Sequence, residues 1–530
     1  MFDGFGKKSY FCKRNQNYFK YKTIKKMKKR HLWMLGAILT CGLLTTSCAS
    51  EDNPVTPPIT TADIVDDFWD IPGNEGDPEV VKALKSIENV EDLKPFMNLK
   101  LGQAYYFNYR QQVDHNDPSK GTFQQQVVLT FAGKDAHTIL HTEGYSLLSH
   151  ITSRNHNRLD SIEAPDLLWQ LSANKGEDKK FDLNCVQVEY RYHGFSLPEG
   201  DANVFNYLSA EQQSKDLHAI VTDLKKALFT GNGKWVSTGI SKNGVTSAQY
   251  AYYDEMYGWN DIDVYVPFVA PISPQEEDLR VGTYMLTQSS KEALPTLEKA
   301  YRRVVDDKAV ADATVAAYSK VYEKEYKTKM PADSAYLYTL YGIMNNLFSV
   351  QSYGDFNTWT KLIPTEKSTP EEYAKFFMLV EKNPAIRPKK NKARGPQAMR
   401  DDPFLKQISI DQGNMGYDFS WYLDGKLLSE SDKEYFKKFM KKSQESKPIE
   451  LQKQLLKNLE TTKKKLIFVY GEDDPWTGGA IPDPTNPNVK KYIIPHGYHS
   501  DEFEEYEWYP GGKEMGQHIL DDIKAIIDQK

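Results

Sequence analysis

Short apolar runs that end in glycine alternate with helical patterns along much of the chain, and this alternation predicts a parallel α/β sheet. The runs QQQVVLTFAG, AHTILHTEG and LNCVQVEYRYHG are typical of strands, and KWVSTGIS is a further strand that precedes a helical pattern. The helix predicted just before KWVSTGIS carries apolar residues at helical spacing, namely Leu217, Ile220, Val221, Leu224 and Leu228.

The pattern changes at about residue 276, where helical periodicity takes over and strands are no longer predicted. The α/β pattern returns with KKLIFVYGEDDPW and VKKYIIPHGYHS, two apolar runs that each end in a polar turn, and an amphipathic helix closes the chain. The predicted fold class is therefore α/β, with a core formed by residues 96–275 and 456–530. A large all-helical cap of residues 276–455 is inserted between the two parts of this core.

The N-terminal segment has the features of a signal peptide, predicted over residues 1–47 with the true start at Met27. A basic cluster precedes an apolar run of about 13 residues, too short to span a bilayer as a helix. LLTTSC resembles a bacterial lipobox, although Thr45 stands where Leu, Val or Ile is commonest. Cleavage before Cys48 would leave a lipidated thiol, and residues 48–95 would form the anchor, a Pro/Thr-rich tether and an N-terminal extension.

These features predict an exported lipoprotein in the outer membrane of a Gram-negative bacterium, on its periplasmic or cell-surface face, with an ordinary secreted protein as the alternative. Residues 1–47 hold 11 of the 67 Lys and Arg residues but one of the 73 Asp and Glu residues, so their removal shifts the net charge from −6 to about −16. Such a surface argues against nucleic acid as a partner. Few cysteines remain after cleavage, and no Cys/His cluster has zinc spacing.

Three strand ends carry reactive groups in the order serine, acid, histidine. Ser241 follows the run KWVSTGI, Asp473 and Asp474 follow LIFVYGE, and His496 and His499 follow YIIP. This is the order of the catalytic triad in α/β-hydrolases, whose sites lie at the carboxyl ends of parallel strands. Either aspartate could serve as the acid, and His499 is preferred as the base over His496.

Ser241 lies in the motif G-x-S-x-N, a variant of the nucleophile elbow. Gly239 provides the small upstream residue that a sharp strand-to-helix turn requires. Downstream, Asn243 replaces the usual glycine, and Gly244 follows it. The motif therefore predicts a nucleophile but leaves the fit of Asn243 open.

An oxyanion hole would take one backbone N–H from the residue after the nucleophile, Lys242. A second N–H would come from the loop after an early strand, where HTEGYS offers Gly144 or Tyr145. An ordinary strand-end turn is the alternative for this loop.

The ordered blocks HTEGY, VEYRYHGFSLPEG, YLSAEQQSKDLHAI, GKWVSTGISKNGVTS, DVYVPFVAPIS, FVYGEDDPW and HGYH resemble the secreted bacterial tripeptidyl aminopeptidases, family thirty-seven of the serine peptidases (PS-10 type). These are distant relatives of prolyl carboxypeptidase and dipeptidyl peptidase. The resemblance implies an α/β-hydrolase core with an inserted helical cap, and it places the nucleophile on Ser241, the acid on Asp474 and the base on His499. The departures are Asn243 and the block EYRYHG, where E-H-R-Y-F-G is commoner.

The resemblance further implies release of short N-terminal peptides, tripeptides foremost and often next to proline, from substrates with a free N-terminus. No cofactor or metal is implied. A carboxylate could bind the substrate amine, and Glu143 and Glu189 lie at suitable strand ends, with structural roles as the alternative for both; His193 could line the pocket. The competing interpretations are an esterase or lipase on the same core and a catalytically decayed surface lipoprotein that binds peptides, which Asn243 would favour.

Overall fold

The computed structural model describes residues 75–98, 100–143, 147, 162, 164–173, 181–198, 206–353, 359–378 and 403–529. The predicted signal peptide, Cys48 and the tether lie outside the described residues. The chain divides into two compact units. Among the described residues, the helical unit contains 289–353, 359–378 and 419–439, and the core unit contains the remainder.

The strands of the structure, in chain order, are β1 (Val90–Asn98), β2 (Gly102–Gln112), β3 (Thr122–Thr130), β4 (Thr138–Glu143), β5 (Asn184–Glu189), β6 (Trp235–Ile240), β7 (Val264–Phe268), β8 (Glu277–Asp278), β9 (Asn414–Met415), β10 (Lys465–Gly471) and β11 (Val489–Ile494).

The helices are α1 (Pro78–Lys85), α2 (Asp166–Leu171), α3 (Ala210–Ala227), α4 (Lys242–Tyr257), α5 (Leu279–Thr287), α6 (Leu294–Asp306), α7 (Lys308–Tyr326), α8 (Ala335–Tyr353), α9 (Pro370–Phe377), α10 (Pro403–Gln407), α11 (Glu430–Gln444), α12 (Glu450–Asn458), α13 (Phe503–Tyr506) and α14 (Gly512–Ile527).

One sheet of nine strands runs in the order β1-β2-β3-β5-β4-β6-β7-β10-β11. The pairs from β1 to β5 are antiparallel, and every pair from β5 across to β11 is parallel. Parallel neighbours need long crossovers, which the helices supply. The parallel strands end at one shared edge, named here the carboxyl edge, where residues from distant parts of the chain meet.

Helices cover both faces of the sheet, because successive residues of a strand point to opposite sides. Leu466 and Phe468 of β10 pack into a cluster with α1, α3, α4 and α12, whereas Ile467 and Val469 pack into a second cluster with α2 and α14. The parallel strands are buried on both faces for this reason. The core unit is therefore a three-layer α/β structure.

The helical unit has its own core, in which aromatic rings pack among aliphatic side chains. Tyr301 of α6 contacts Phe377 of α9 edge-on, with ring centroids 5.0 Å apart, and Trp359 stacks on Phe376 at 4.7 Å. Such pairs add to the stabilisation from buried area. Across the portions of the chain that the structure describes, no helix combines the length and the apolar character needed to cross a membrane.

The domain boundaries differ from the sequence-based prediction at two places. Residues 78–95, assigned to the N-terminal extension, form α1 and most of β1, and Val80 and Leu84 are buried in the core. The segment 276–455 is not purely helical, since β8 pairs in parallel with β9. Strands of two residues leave no detectable periodicity, and their pairing joins segments far apart in the chain, so sequence patterns miss them.

Arg191, which follows β5, is a buried cation that the fold satisfies completely. Its Nε and Nη2 donate to the two carboxylate oxygens of Asp216 at 2.7 Å, and both side chains are fully buried. Nη1 donates to the carbonyls of Val113 and Tyr207, and His115 contributes a further contact to Asp216 at 2.7 Å. The pair therefore ties the end of β5 to α3.

We expect Asp216→Asn to lower the free energy of unfolding by about 3 to 5 kcal/mol, because it leaves the Arg191 charge buried without its counter-charge. The matched control is Glu507→Gln, which breaks the exposed ion pair with Lys513 and should cost less than about 1 kcal/mol. Chemical denaturation of both variants measures the difference. Equal losses in the free energy of unfolding for the two variants would show that the buried pair stabilises the fold no more than an exposed pair does.

Candidate active site

Ser241 occupies a sharp turn between β6 and α4 at the carboxyl edge. Its backbone has φ +59° and ψ −123°, and it caps the N-terminus of α4. Angles of this kind cost a residue with a side chain about 1 to 3 kcal/mol and persist only where neighbours hold them. The N–H of Ser241 donates to the Phe268 carbonyl on β7 at 2.8 Å, which anchors the turn to the sheet.

Two glycines make room for this turn. A Cβ on Gly239 would lie 2.5 Å from the carbonyl carbon of Asn243, and a Cβ on Gly244 would lie 2.6 Å from the Phe268 oxygen. Both distances are far below van der Waals contact, so neither position accepts a side chain without movement. Gly244 thus provides the close approach to β7, although it stands one residue later than the motif predicts.

Asn243 fits the turn because its side chain is directed away from that close approach. Its Nδ2 donates to Oε1 of Glu143 at 3.3 Å, and its carbonyl accepts the hydroxyl of Thr142 at 2.9 Å. These contacts join the nucleophile turn to the end of β4. The replacement of the usual glycine therefore leaves the turn intact.

His499 bridges the serine and the acid. Its Nε2 lies 2.8 Å from Ser241 Oγ, and its Nδ1 lies 2.7 Å from Asp474 Oδ2. The imidazole and the carboxylate are both fully buried. Because Asp474 accepts from Nδ1–H, Nε2 is left as the acceptor that faces the serine hydroxyl.

The backbone fixes the orientation of Asp474. Its Oδ1 accepts the N–H of Trp476 at 3.0 Å and so caps the short 3₁₀ helix Pro475–Gly479. Its ψ of 119° is the extended value that the following proline favours. One carboxylate oxygen is thus used by the turn, and the other is directed to His499.

The alternative residues form a separate pair. His496 Nδ1 lies 3.4 Å from Asp473 Oδ2, and the His496 side chain is 39% exposed. The structure therefore brings Asp474, not Asp473, and His499, not His496, to Ser241. Position along the chain leaves the choice between Asp473 and Asp474 open, because both follow the same strand, whereas His499 is the preferred base and the family resemblance implies Asp474 and His499.

Lys242, the predicted oxyanion donor, is the first residue of α4, where backbone N–H groups have no partner within the helix. The other predicted donors, Gly144 and Tyr145, lie outside the described residues. The Lys242 side chain is buried: Nζ lies 4.5 Å from the centre of the Tyr190 ring and 3.1 Å from Nε2 of His193. Sequence analysis did not identify this use of the lysine side chain or of Tyr190.

His193 is buried between two polar partners and supports Lys242. Its Nδ1 lies 3.1 Å from the Arg191 carbonyl, so it donates there, and Nε2 accepts from Lys242. Burial and the nearby Lys242 charge lower the pKa of His193 well below its usual value. The neutral ring orients Lys242, and the prediction that His193 lines the substrate pocket gains no support from this geometry.

Glu189 is not placed to bind a substrate amine. Its side chain is fully buried, Oε1 accepts the N–H of Leu147 at 2.9 Å, and Oε2 accepts the N–H and hydroxyl of Ser196 at 2.9 and 2.7 Å. The carboxylate thus holds two loops at the carboxyl edge. Glu143 remains half-buried and next to Asn243.

Tyr284 of α5 packs above the acid turn and is a site neighbour that sequence analysis missed. Its hydroxyl donates to the Glu472 carbonyl at 2.9 Å, and burial followed by the charge of Asp474 raises its pKa. A cavity of about 530 Å³ opens beside it, bordered by Arg280 and Gly478 among others. Among the described side chains, no group of three or more His, Cys, Asp or Glu is arranged to hold a metal ion.

Comparisons with known proteins agree with this architecture. A family model described as PS-10 peptidase S37 matches residues 81–360, more than half of the chain. The prolyl tri/tetrapeptidyl aminopeptidase of Streptomyces mobaraensis is 26% identical over 355 residues, which cover 66% of this chain and 63% of that relative. The chain thus spans a little less than two thirds of the length of that curated relative.

Two solved structures align with the chain at low similarity. A peroxisomal alpha-beta-hydrolase from Saccharomyces cerevisiae aligns with a TM-score of 0.33 and 10% identity, over 81% of this chain and 90% of its own. An alpha/beta fold family hydrolase from Bacillus anthracis aligns with a TM-score of 0.31 and 12% identity, over 81% and 99%. The α/β-hydrolase fold class predicted from the sequence is confirmed. The strand order and the nucleophile elbow of this chain support it.

We expect Ser241 to react with a fluorophosphonate probe, since His499 is positioned to take its proton. Ser241→Ala should abolish labelling, and Asp474→Asn should slow it by about 10³ to 10⁴-fold, because the amide no longer fixes the histidine tautomer. Asp473→Asn is the matched control and should label at the unchanged rate. Labelling kinetics followed by intact mass spectrometry measure this, and equal slowing by both aspartate variants would contradict the assignment of Asp474.

Proposed function

The chain belongs to the PS-10 peptidase S37 family, and from that premise we propose that it is a serine exopeptidase that releases short peptides from the N-termini of peptide substrates. The observation that carries the proposal is the His499 ring, which lies within hydrogen-bond distance of both Ser241 and Asp474. A serine hydroxyl is inert at neutral pH without such a base.

In the first half of the proposed reaction, Ser241 Oγ attacks the carbonyl carbon of the scissile bond as its proton passes to His499 Nε2. Asp474 stabilises the imidazolium that forms and keeps the ring in place. The backbone N–H of Lys242, at the positive end of α4, stabilises the negative charge on the carbonyl oxygen. His499 then gives its proton to the leaving amine, and the peptide bond breaks.

In the second half, water replaces the leaving peptide. His499 takes a proton from the water as its oxygen attacks the acyl carbon, and the same proton returns to Ser241 Oγ when the ester bond breaks. The products are the released N-terminal fragment and the regenerated enzyme. Apart from the substrate and this water, every step uses groups that the chain itself supplies.

The length of the released fragment is proposed by similarity. The Streptomyces relative is named a prolyl tri/tetrapeptidyl aminopeptidase, so we propose fragments of three or four residues and a preference for proline at the cut. The intact geometry of the turn around Asn243 argues against a decayed site. An esterase remains the competing activity on the same core.

We expect peptides with free N-termini to yield fragments of three or four residues, with the highest yields where proline is next to the cut. Mass spectrometry of a defined peptide mixture measures the product lengths, with Ser241→Ala as the inactive control. Hydrolysis of p-nitrophenyl esters without any peptide product would favour the esterase. Internal cleavage throughout the peptides would contradict an exopeptidase.

The proposed location is the outer membrane of a Gram-negative bacterium, through a lipid on Cys48 after removal of residues 1–47. The support is the lipobox-like LLTTSC behind a basic and apolar leader. A single lipid-modified terminus would tether the folded core through the Pro/Thr-rich segment and leave it free to reach peptides.

We expect the complete chain, expressed in a Gram-negative host, to fractionate with membranes and to incorporate labelled palmitate. Cys48→Ala should lose the label and the membrane association, because the lipobox-like segment then lacks the thiol that would carry the lipid. Cys185→Ala is the matched control, since Cys185 is buried in the core and should keep both properties. Membrane association retained by Cys48→Ala would show that another element anchors the protein.

A further inference from the structure

Asp411 is a buried carboxylate that the fold leaves incompletely paired. It lies in the short π-helix Ile408–Gln412 and is 7% exposed. Within the described residues its only side-chain hydrogen bond is the one that Oδ2 accepts from the N–H of Ala210 at 2.6 Å, at the start of α3. In Asp216, by contrast, both carboxylate oxygens are paired with Arg191.

The surroundings of Asp411 are rich in unused hydrogen-bond acceptors. The side-chain amides of Gln249 and Gln452 both donate Nε2 to the Asp411 carbonyl, at 2.9 and 2.7 Å. This fixes their orientation and leaves Oε1 of each buried without a partner among the described residues. Gln407 lies on the same segment, and both its Oε1 and its Nε2 are buried without a partner among the described residues. Buried polar atoms normally find partners, so this cluster is suited to a ligand that donates several hydrogen bonds.

Electrostatics favour a cationic ligand. The pKa of Asp411 is raised to about 7, mainly by burial, with a smaller increase from the nearby Glu211, while the N–H of Ala210 and the charge of Lys447 lower it. None of the described cations forms an ion pair with this carboxylate. A buried carboxylate without a counter-charge is unfavourable, and an arriving ammonium group relieves the cost.

Asp411 lies at the same end of the sheet as the nucleophile. Burial followed by the charge of Asp411 raises the pKa of Tyr190, which directly follows β5 at the carboxyl edge. The Tyr190 ring is the one that Lys242 Nζ contacts at 4.5 Å, next to Ser241. Tyr190 thus lies within electrostatic reach of Asp411 and in contact with the Lys242 side chain beside Ser241.

The separation suits a short peptide. Gln249, which holds the Asp411 carbonyl, lies eight residues after Ser241 on α4, about 12 Å along a helix axis. The Gln249 side chain tilts towards the N-terminus of α4. Measured along the axis of α4, Asp411 therefore lies no more than about 12 Å from Ser241. Three to four extended residues span about 10 to 14 Å.

We propose that Asp411, with Oε1 of Gln249 and Oε1 of Gln452, binds the free α-ammonium group of the peptide substrate and thereby sets the distance from the N-terminus to the cut. The inference rests on the proposed exopeptidase function and assigns the amine-binding carboxylate within it. An α-ammonium group donates three hydrogen bonds, which matches the three oxygens. Asp411 takes the role that sequence analysis gave to Glu143 or Glu189.

The test uses a tripeptidyl p-nitroanilide with a free α-amine and its N-acetylated counterpart, with kcat and KM measured for both. Asp411→Asn should raise KM for the free-amine substrate by about 10 to 100-fold and change kcat little, because the lost interaction is the same in the ground and transition states. KM for the acetylated substrate should not change. The preference for the free amine should therefore shrink by the same factor.

Two matched variants serve as controls. Asp418→Asn removes another buried carboxylate of the same segment, which accepts the hydroxyl of Thr283 at 2.9 Å, and should leave the preference at its wild-type value. Glu143→Gln tests the competing carboxylate and should also leave it unchanged. Loss of the preference in Glu143→Gln, or a wild-type preference in Asp411→Asn, would overturn the proposal.

The rate of fluorophosphonate labelling separates a binding defect from a folding defect, and Asp411→Asn should label like the wild type. If it labels poorly, Gln452→Met is used instead. It removes one acceptor at nearly constant side-chain length and should raise KM for the free-amine substrate by about 3 to 10-fold. An unchanged KM in that variant would count against the proposal.

The results for the wild type distinguish failure of the exopeptidase proposal from failure of the Asp411 assignment alone. If the wild type cleaves neither p-nitroanilide although Ser241 is labelled, the exopeptidase proposal fails and this assignment fails with it. If the wild type prefers the free amine and Asp411→Asn preserves that preference, the assignment of Asp411 is wrong while the exopeptidase proposal stands.

Discussion

Ser241 keeps its strained backbone because β7, Gly239 and Gly244 leave the turn no relaxed alternative. The Phe268 carbonyl accepts the Ser241 N–H at 2.8 Å, and the same oxygen would lie 2.6 Å from any Cβ at position 244. Packing against the sheet thus offsets the conformational strain of the turn that directs the serine hydroxyl towards His499. Without this turn, the hydroxyl would not reach the ring of His499, and the first residues of α4 would not present their N–H groups beside it.

The parallel sheet brings the remaining groups to that hydroxyl. Ser241 and His499 are 258 residues apart, yet β6, β7, β10 and β11 are consecutive neighbours in the sheet and end at one edge. Because adjacent strands lie about 5 Å apart, turns that follow neighbouring strands are within side-chain reach of each other. The triad is therefore a consequence of strand order, and each member needs only a short turn to complete its position.

Buried charges at the same edge show how the fold distributes its polar interactions. Asp216 is matched by Arg191, Asp474 by His499 and a backbone N–H, and Glu189 by the amides and hydroxyl of two loops. Each of these groups is fully enclosed and fixes a loop or a ring. Asp411 differs, because burial raises its pKa to about 7 and none of the cations in the described part of the chain forms an ion pair with it. That imbalance distinguishes a group suited to a ligand from groups that only stabilise the fold.

The amino-acid sequence by itself determined the alternation of strands and helices, the elbow motif and the order of serine, acid and histidine, because these depend on local periodicity and on turns that follow apolar runs. The structure brings to Ser241 the two residues that the family resemblance implied, Asp474 and His499. Only the tertiary structure assigned Gly244 to the close approach, enclosed Glu189 and left Asp411 incompletely paired among the described residues. Those outcomes depend on partners from distant segments, such as Ala210 for Asp411 or Leu147 for Glu189. A side chain's burial and hydrogen bonds are properties of the packed sheet and its loops, which no local pattern encodes.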